Sequence, residues 1–190
     1  SHNSMWDDAG EAMGGLLTLE EAKQYQDFVK MVTPKVAEIL GVKARPLRVQ
    51  MADTIELPVV ALAHERTIFL NSEWFRGHPD DYGTIVHEVA HAVMNIQVAL
   101  EEEKWLIEGL AEYARDMLGY PSITGELPNY DRKRLFGGYQ PTAHFFLWIR
   151  SKYGEEEVKG IARRISRGKT LDIDRLEARV EEYKREHSKE

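Results

Sequence analysis

The segment HPDDYGTIVHEVAHAVMNI, residues 78–96, constrains the fold of this chain more than any other. Asp80 or Asp81 stands where a helix N-cap belongs, and the pattern predicts a helix running to about Ile96. Its apolar residues (Tyr82, Ile85, Val86, Val89, Ala90, Val93 and Met94) occupy most of the helix circumference. A helix that is apolar nearly all round has to be buried centrally, so the rest of the chain must wrap around it. That same helix carries His87, Glu88 and His91, polar groups that are costly in an apolar interior unless they are partnered.

His87-Glu88-Val89-Ala90-His91 is an HExxH sequence. Residues four apart share a helix face, so both imidazoles can reach one metal ion. Glu88, beside the first histidine, is placed to take a proton from a water in the open coordination position, whose pKa zinc lowers toward ~7. The competing reading is two core histidines bonded to backbone and a glutamate reaching solvent. Catalytic zinc takes three protein ligands, and Glu108 supplies a third candidate. It follows His91 with sixteen residues between them, inside KWLIEGLAEYARDML on a helix expected over about 102–118. Glu108 and Glu112 lie four apart, a like-charge pair that a metal would relieve. Glu112 would then accept a hydrogen bond from the second ring nitrogen of a ligand histidine. Gly109 suits a close approach of the two helices. The alternative here is a solvated acidic face with Lys104 and Arg115 as ordinary ion-pair partners.

HEVAHAV followed by KWLIEGLAEYARD resembles the gluzincin branch of the zincin metallopeptidases. EGLAEY is similar to the EGxAxY of the peptidase-MA-like group and of the basic secretory peptidases of plants and bacteria. A downstream stretch, GYQPTAHF at 138–145 with Trp148, Ile149, Tyr153 and Gly154, resembles a segment those families place after the site. The likeness covers roughly residues 67–170. It implies zinc on His87, His91 and Glu108, one ion per chain, with Glu88 as general base and Glu112 behind the ligands. It also implies that the hairpin strand ending at Asn71 runs along the cleft, where it can pair with substrate backbone. No matched residue secures the oxyanion role. Tyr139 is the first candidate, against a reading as an anchoring aromatic in a turn; His144 is the second, against a reading as a satisfied core histidine.

Around this centre the pattern predicts a helix from a capping box at Thr18 and Glu21, ended or kinked by Pro34, with Thr33 capping a continuation to Leu40 and Gly41 stopping it. Strands are expected at 47–51, 59–63 and 67–71, the last two a hairpin turning at His64-Glu65-Arg66, and His64 and His78 are expected to be solvent-exposed. Residues 119–141 read as a long loop bordering the cleft, with Arg132-Lys133-Arg134 as a solvated run, and helices follow at 141–153, 155–167 and 173–187. The expected fold is α+β and zincin-like: a small mixed or antiparallel sheet on the buried HExxH helix, then a mainly helical C-terminal half. Residues 1–15 read as a flexible tail whose first four are a cloning remnant, and 16–190 as a single domain.

Composition narrows the function classes. With no Cys among 190 residues, Cys-ligated zinc fingers, iron–sulfur sites and disulfide scaffolds are excluded. A net charge of -7 argues against a nucleic-acid or anionic-membrane binder, and no apolar run approaches the ~20 residues of a membrane span. Location stays open: cytoplasmic if Met5 is the native start, secreted if a signal peptide has been removed. The expected function is a zinc-dependent peptidase acting on peptide or protein substrates through a Glu-activated water. The alternatives are a zinc-stabilised binding or assembly module of the same fold, and a metal-dependent amidohydrolase of a non-peptide substrate.

Overall fold

The computed structural model describes residues 19–120 and 139–188, so the capping box at Thr18, the tail at 1–15 and the Arg132-Lys133-Arg134 run lie outside the described residues. Helix α1 (Leu19–Leu40) is followed by strands β1 (Arg48–Ala52), β2 (Ala61–His64) and β3 (Thr67–Asn71). Helices α2 (Ser72–Gly77), α3 (Tyr82–Met94) and α4 (Lys104–Met117) come next, the last entered through a short 3-10 turn at Glu101–Glu103. The chain closes with α5 (Tyr139–Tyr153), α6 (Glu155–Ser166) and α7 (Ile173–His187). The class is α+β, mostly helical, with one small mixed sheet.

Helix α3 is as central as its composition requires. Nine of its thirteen residues are buried, including Ile85, Val86, Val89, Ala90, Val93 and Met94. Asp81 is its N-cap: Thr84 donates its amide to Oδ1 at 3.4 Å and its hydroxyl to Oδ2 at 2.7 Å. Asn95, in the left-handed region at φ 49°, ends the helix. Around α3 pack α1, α4, β2 and β3, and one continuous apolar cluster joins all of them to the C-terminal helices.

Two expectations are corrected. Pro34 does not end α1, and Thr33 is not a cap; its hydroxyl donates to the Val29 carbonyl at 2.5 Å within one 22-residue helix. The buried stripe of Val29, Val32, Val36, Ala37 and Leu40 runs straight across the proline, and its packing outweighs the single amide that proline removes. The second correction concerns the strand along the cleft. The strand order is β1-β3-β2, with β1 parallel and β2 antiparallel to β3. The strand ending at Asn71 is therefore central, with both edges taken by neighbours, and it is β2 that borders the cleft.

The two outer edges of the sheet are treated differently. On β1 the Gln26 side chain of α1 accepts from the Val49 amide at 2.8 Å and donates to the Leu47 carbonyl at 3.1 Å, so that edge is closed. On β2 the Ala63 amide points away from β3 toward the HExxH helix.

Candidate metal centre and cleft

Two helices build the site, and each presents a face through i,i+4 spacing. His87 and His91 of α3 meet Glu108 and Glu112 of α4 where the two helices pack. Glu108 Oε1 lies 2.7 Å from His91 Nε2 and 3.1 Å from His87 Nε2, and the two Nε2 atoms are 3.1 Å apart. The other ring nitrogen of His87, Nδ1, faces Glu112 Oε2 at 2.9 Å. The structure thus brings His87, His91, Glu108 and Glu112 into one cluster.

The donor set fits a divalent cation. Two imidazole nitrogens and one carboxylate oxygen, each from a separate side chain, converge on a common point. Tetrahedral ligands at ~2.0–2.1 Å from zinc stand about 3.3 Å apart, so small outward shifts from the present spacing accommodate the ion. Two ring nitrogens 3.1 Å apart share a proton in a hydrogen bond or turn both lone pairs to a metal, and either arrangement suits this spacing.

Electrostatics favour the charged cluster. Burial works against an imidazolium at His87, but the carboxylates of Glu108 and Glu112, with the charge of Glu88, outweigh it and raise its pKa to about 9. Burial likewise opposes ionisation of Glu108, yet its bonds to His87 and His91 lower its pKa to about 2. Glu112, also buried, is brought to about 2 by His87 and the Arg115 guanidinium. Glu88 differs: burial dominates and pushes its carboxyl up, against the pull of His91 and His87.

A pH dependence follows. In metal-free protein the imidazolium of His87 is the stabilising form, so its contribution is complete below pH 6.5 and is lost as pH rises through about 9. The carboxylates contribute above pH 4.5 and lose that contribution as pH falls through about 2. Melts of metal-stripped protein are expected to show Tm falling between pH 6.5 and 9, with the largest recovery on adding zinc at the upper end. A Tm independent of pH across that window contradicts the assignment.

Glu88 faces the cleft. Its Oε1 accepts a hydrogen bond from the Ala63 amide of β2 at 3.2 Å, which fixes the carboxyl against the sheet edge. The cleft has a volume of about 930 Å³ and runs between β2 and the α3–α4 pair. Leu62 and Val59 form an apolar wall, while Glu88, His91 and Glu108 line the floor and Lys104 stands one turn before Glu108. His64, at the end of β2, is exposed on this wall as expected; His78 is half-buried, its ring stacked on Trp74 at 3.8 Å.

The remaining sequence candidates fall elsewhere. Tyr139 opens α5 rather than a turn, and its side chain lies outside the described residues. His144 is half-buried on α5 with Asp116 as an electrostatic neighbour, and it is not among the described residues that line the cleft. Gly109 does mark a close approach, but to α5 instead of α3: a Cβ there would stand 2.3 Å from Thr142 Cγ2. Arg115 is no surface ion-pair partner. It is buried, donating through Nη1 to Glu112 Oε2 at 3.1 Å and through Nε to the Tyr120 carbonyl at 3.0 Å. Gln140, not singled out by its sequence context, donates to Glu112 Oε1 at 3.1 Å and Asp116 Oδ1 at 3.3 Å. The i,i+3 spacing of Glu112 and Arg115 was a usable signal; nothing local announces a pairing across 28 residues. Comparison with protein-family models, with curated proteins and with solved structures finds no match.

Proposed function

We propose that this protein is a zinc-dependent peptidase in which His87, His91 and Glu108 hold the metal and Glu88 is the general base. The observation that carries the reading is the convergence of the three donor atoms at the cleft floor, with Glu88 alongside, held by the Ala63 amide and not one of the three donors. The resemblance of HEVAHAV and EGLAEY to the gluzincins supports the same assignment. When bound, zinc supplies Lewis acidity, polarising a carbonyl and lowering the pKa of a water toward ~7.

The chain's own residues do the rest. Glu112 accepts from His87 Nδ1, so that in the metal-loaded form it is the Nε2 lone pair that would be turned to the donor cluster. Glu88, held by the Ala63 amide, takes the proton of the attacking water at a carboxylate oxygen and passes it to the departing amine. Burial, by raising the Glu88 carboxyl, makes it a better proton acceptor than an exposed glutamate. The outer edge of β2 offers backbone groups along which an extended peptide can lie, with Leu62 and Val59 against its side chains.

The test is mass-spectrometric mapping of a diverse peptide mixture incubated with zinc-loaded protein, with His91→Ala and chelator-treated protein in parallel. Cuts confined to the zinc-loaded parent are expected. One zinc per chain with no cuts moves the reading to a zinc-stabilised binding module or to a different scissile amide.

A further inference from the structure

Glu112 is itself held, and the way it is held goes beyond the site as described above. Its two oxygens have three partners besides each other: Oε2 meets His87 Nδ1 and Arg115 Nη1, and Oε1 meets the Gln140 amide. Arg115 in turn is fixed at its Nε by the Tyr120 carbonyl just past the end of α4. The guanidinium needs room against α3, and Gly83 leaves it: a Cβ at that position would stand 2.7 Å from Nη2 and 2.8 Å from Nε. A cation is thus inserted between two buried helices, 7% exposed, with a glycine facing its planar group.

We propose that Arg115 is a positioning residue of the metal centre. Seated in the space left by Gly83, its guanidinium locks the Glu112 carboxylate in the orientation that accepts the Nδ1 proton of His87. That leaves His87 Nε2 as a lone-pair donor to a divalent cation. An arginine does this where a lysine does not, because its fork holds a planar carboxylate and the carbonyl of Tyr120 in fixed directions at once. Its charge is also constant across the working pH range. This rests on the reading of His87, His91 and Glu108 as a zinc site.

The experiment measures zinc dissociation constants by competition with a chromophoric chelator for the parent, Arg115→Met, Glu112→Gln and the double variant, with melts of each zinc-free protein. Loss of an outer hydrogen-bond partner of a ligand histidine weakens metal binding about 10–100-fold, and Arg115→Met is expected near the lower figure. If Arg115 acts through Glu112, Arg115→Met costs no further affinity in the Glu112→Gln background. Fully additive losses overturn the proposal and assign Arg115 to supporting the end of α4. Gly83→Ala keeps the arginine but displaces its guanidinium, and it is expected to weaken zinc binding as well. It decides the matter should Arg115→Met fail to fold: an unchanged Kd in Gly83→Ala then overturns the proposal. Zinc binding that His91→Ala abolishes and that neither Arg115→Met nor Gly83→Ala alters overturns this inference alone. A parent that binds no zinc overturns the functional reading and this inference with it.

Discussion

Glu88→Gln is expected to lower peptide turnover by about 10²–10⁴-fold while the protein still binds one zinc per chain. The substitution is isosteric, and its amide oxygen can still accept from the Ala63 amide, so the β2 edge and the cleft wall keep their shape. Glu88 is not among the three donors that converge, so metal affinity has no reason to fall more than a few-fold. What disappears is a carboxylate that lines the cleft with the donor cluster without being one of the three donors. Turnover and zinc stoichiometry, measured on the same preparation, check both halves. A variant that cleaves as fast as the parent ends the general-base assignment; one that loses its zinc makes Glu88 part of the metal site.

Gly109→Ala is expected to be the most destabilising single methyl added to the site's framework. The new Cβ would stand 2.3 Å from Thr142 Cγ2, 2.6 Å from Thr142 Cβ and 3.2 Å from a Phe146 ring carbon. Thr142 and Phe146 are fully buried, so α5 must move away from α4 to admit it. Overpacking of this kind costs about 1–3 kcal/mol or more, against ~1 kcal/mol gained by replacing a helical glycine with alanine. Because Gln140 and Thr142 share α5, separating the helices also loosens the Gln140–Glu112 bond. Melts of the zinc-free variant should show a lower Tm, and zinc titration a weaker Kd. A variant as stable as the parent means α4 and α5 are farther apart than described.

The two effects come from parts of the molecule that were unequally legible. The central burial of α3 followed from its composition, since a helix apolar on most of its circumference has no face to give to water. The pairing of His87 with His91, and of Glu108 with Glu112, followed from i,i+4 spacing, a geometry internal to one helix. Helix α2 (Ser72–Gly77) had no periodic signal of its own; six residues are too few to show one, and it forms because Asn71 accepts from the Trp74 amide. Pro34 misled for the opposite reason, because a local rule about proline gave way to a packed stripe on both sides of it.

By itself, then, the sequence determined what repeats within a single element: which helix is buried, and that His87 shares a face with His91 and Glu108 with Glu112. The tertiary structure decided what lies between elements. It made β2 rather than β3 the cleft edge, turned the Ala63 amide onto Glu88, set Gly109 against Thr142, and slid the Arg115 guanidinium into the gap at Gly83. The physical reason is range. Helical periodicity acts over four residues and leaves a mark in the chain, whereas a hydrogen bond across 25 or 28 residues exists only once the core has packed.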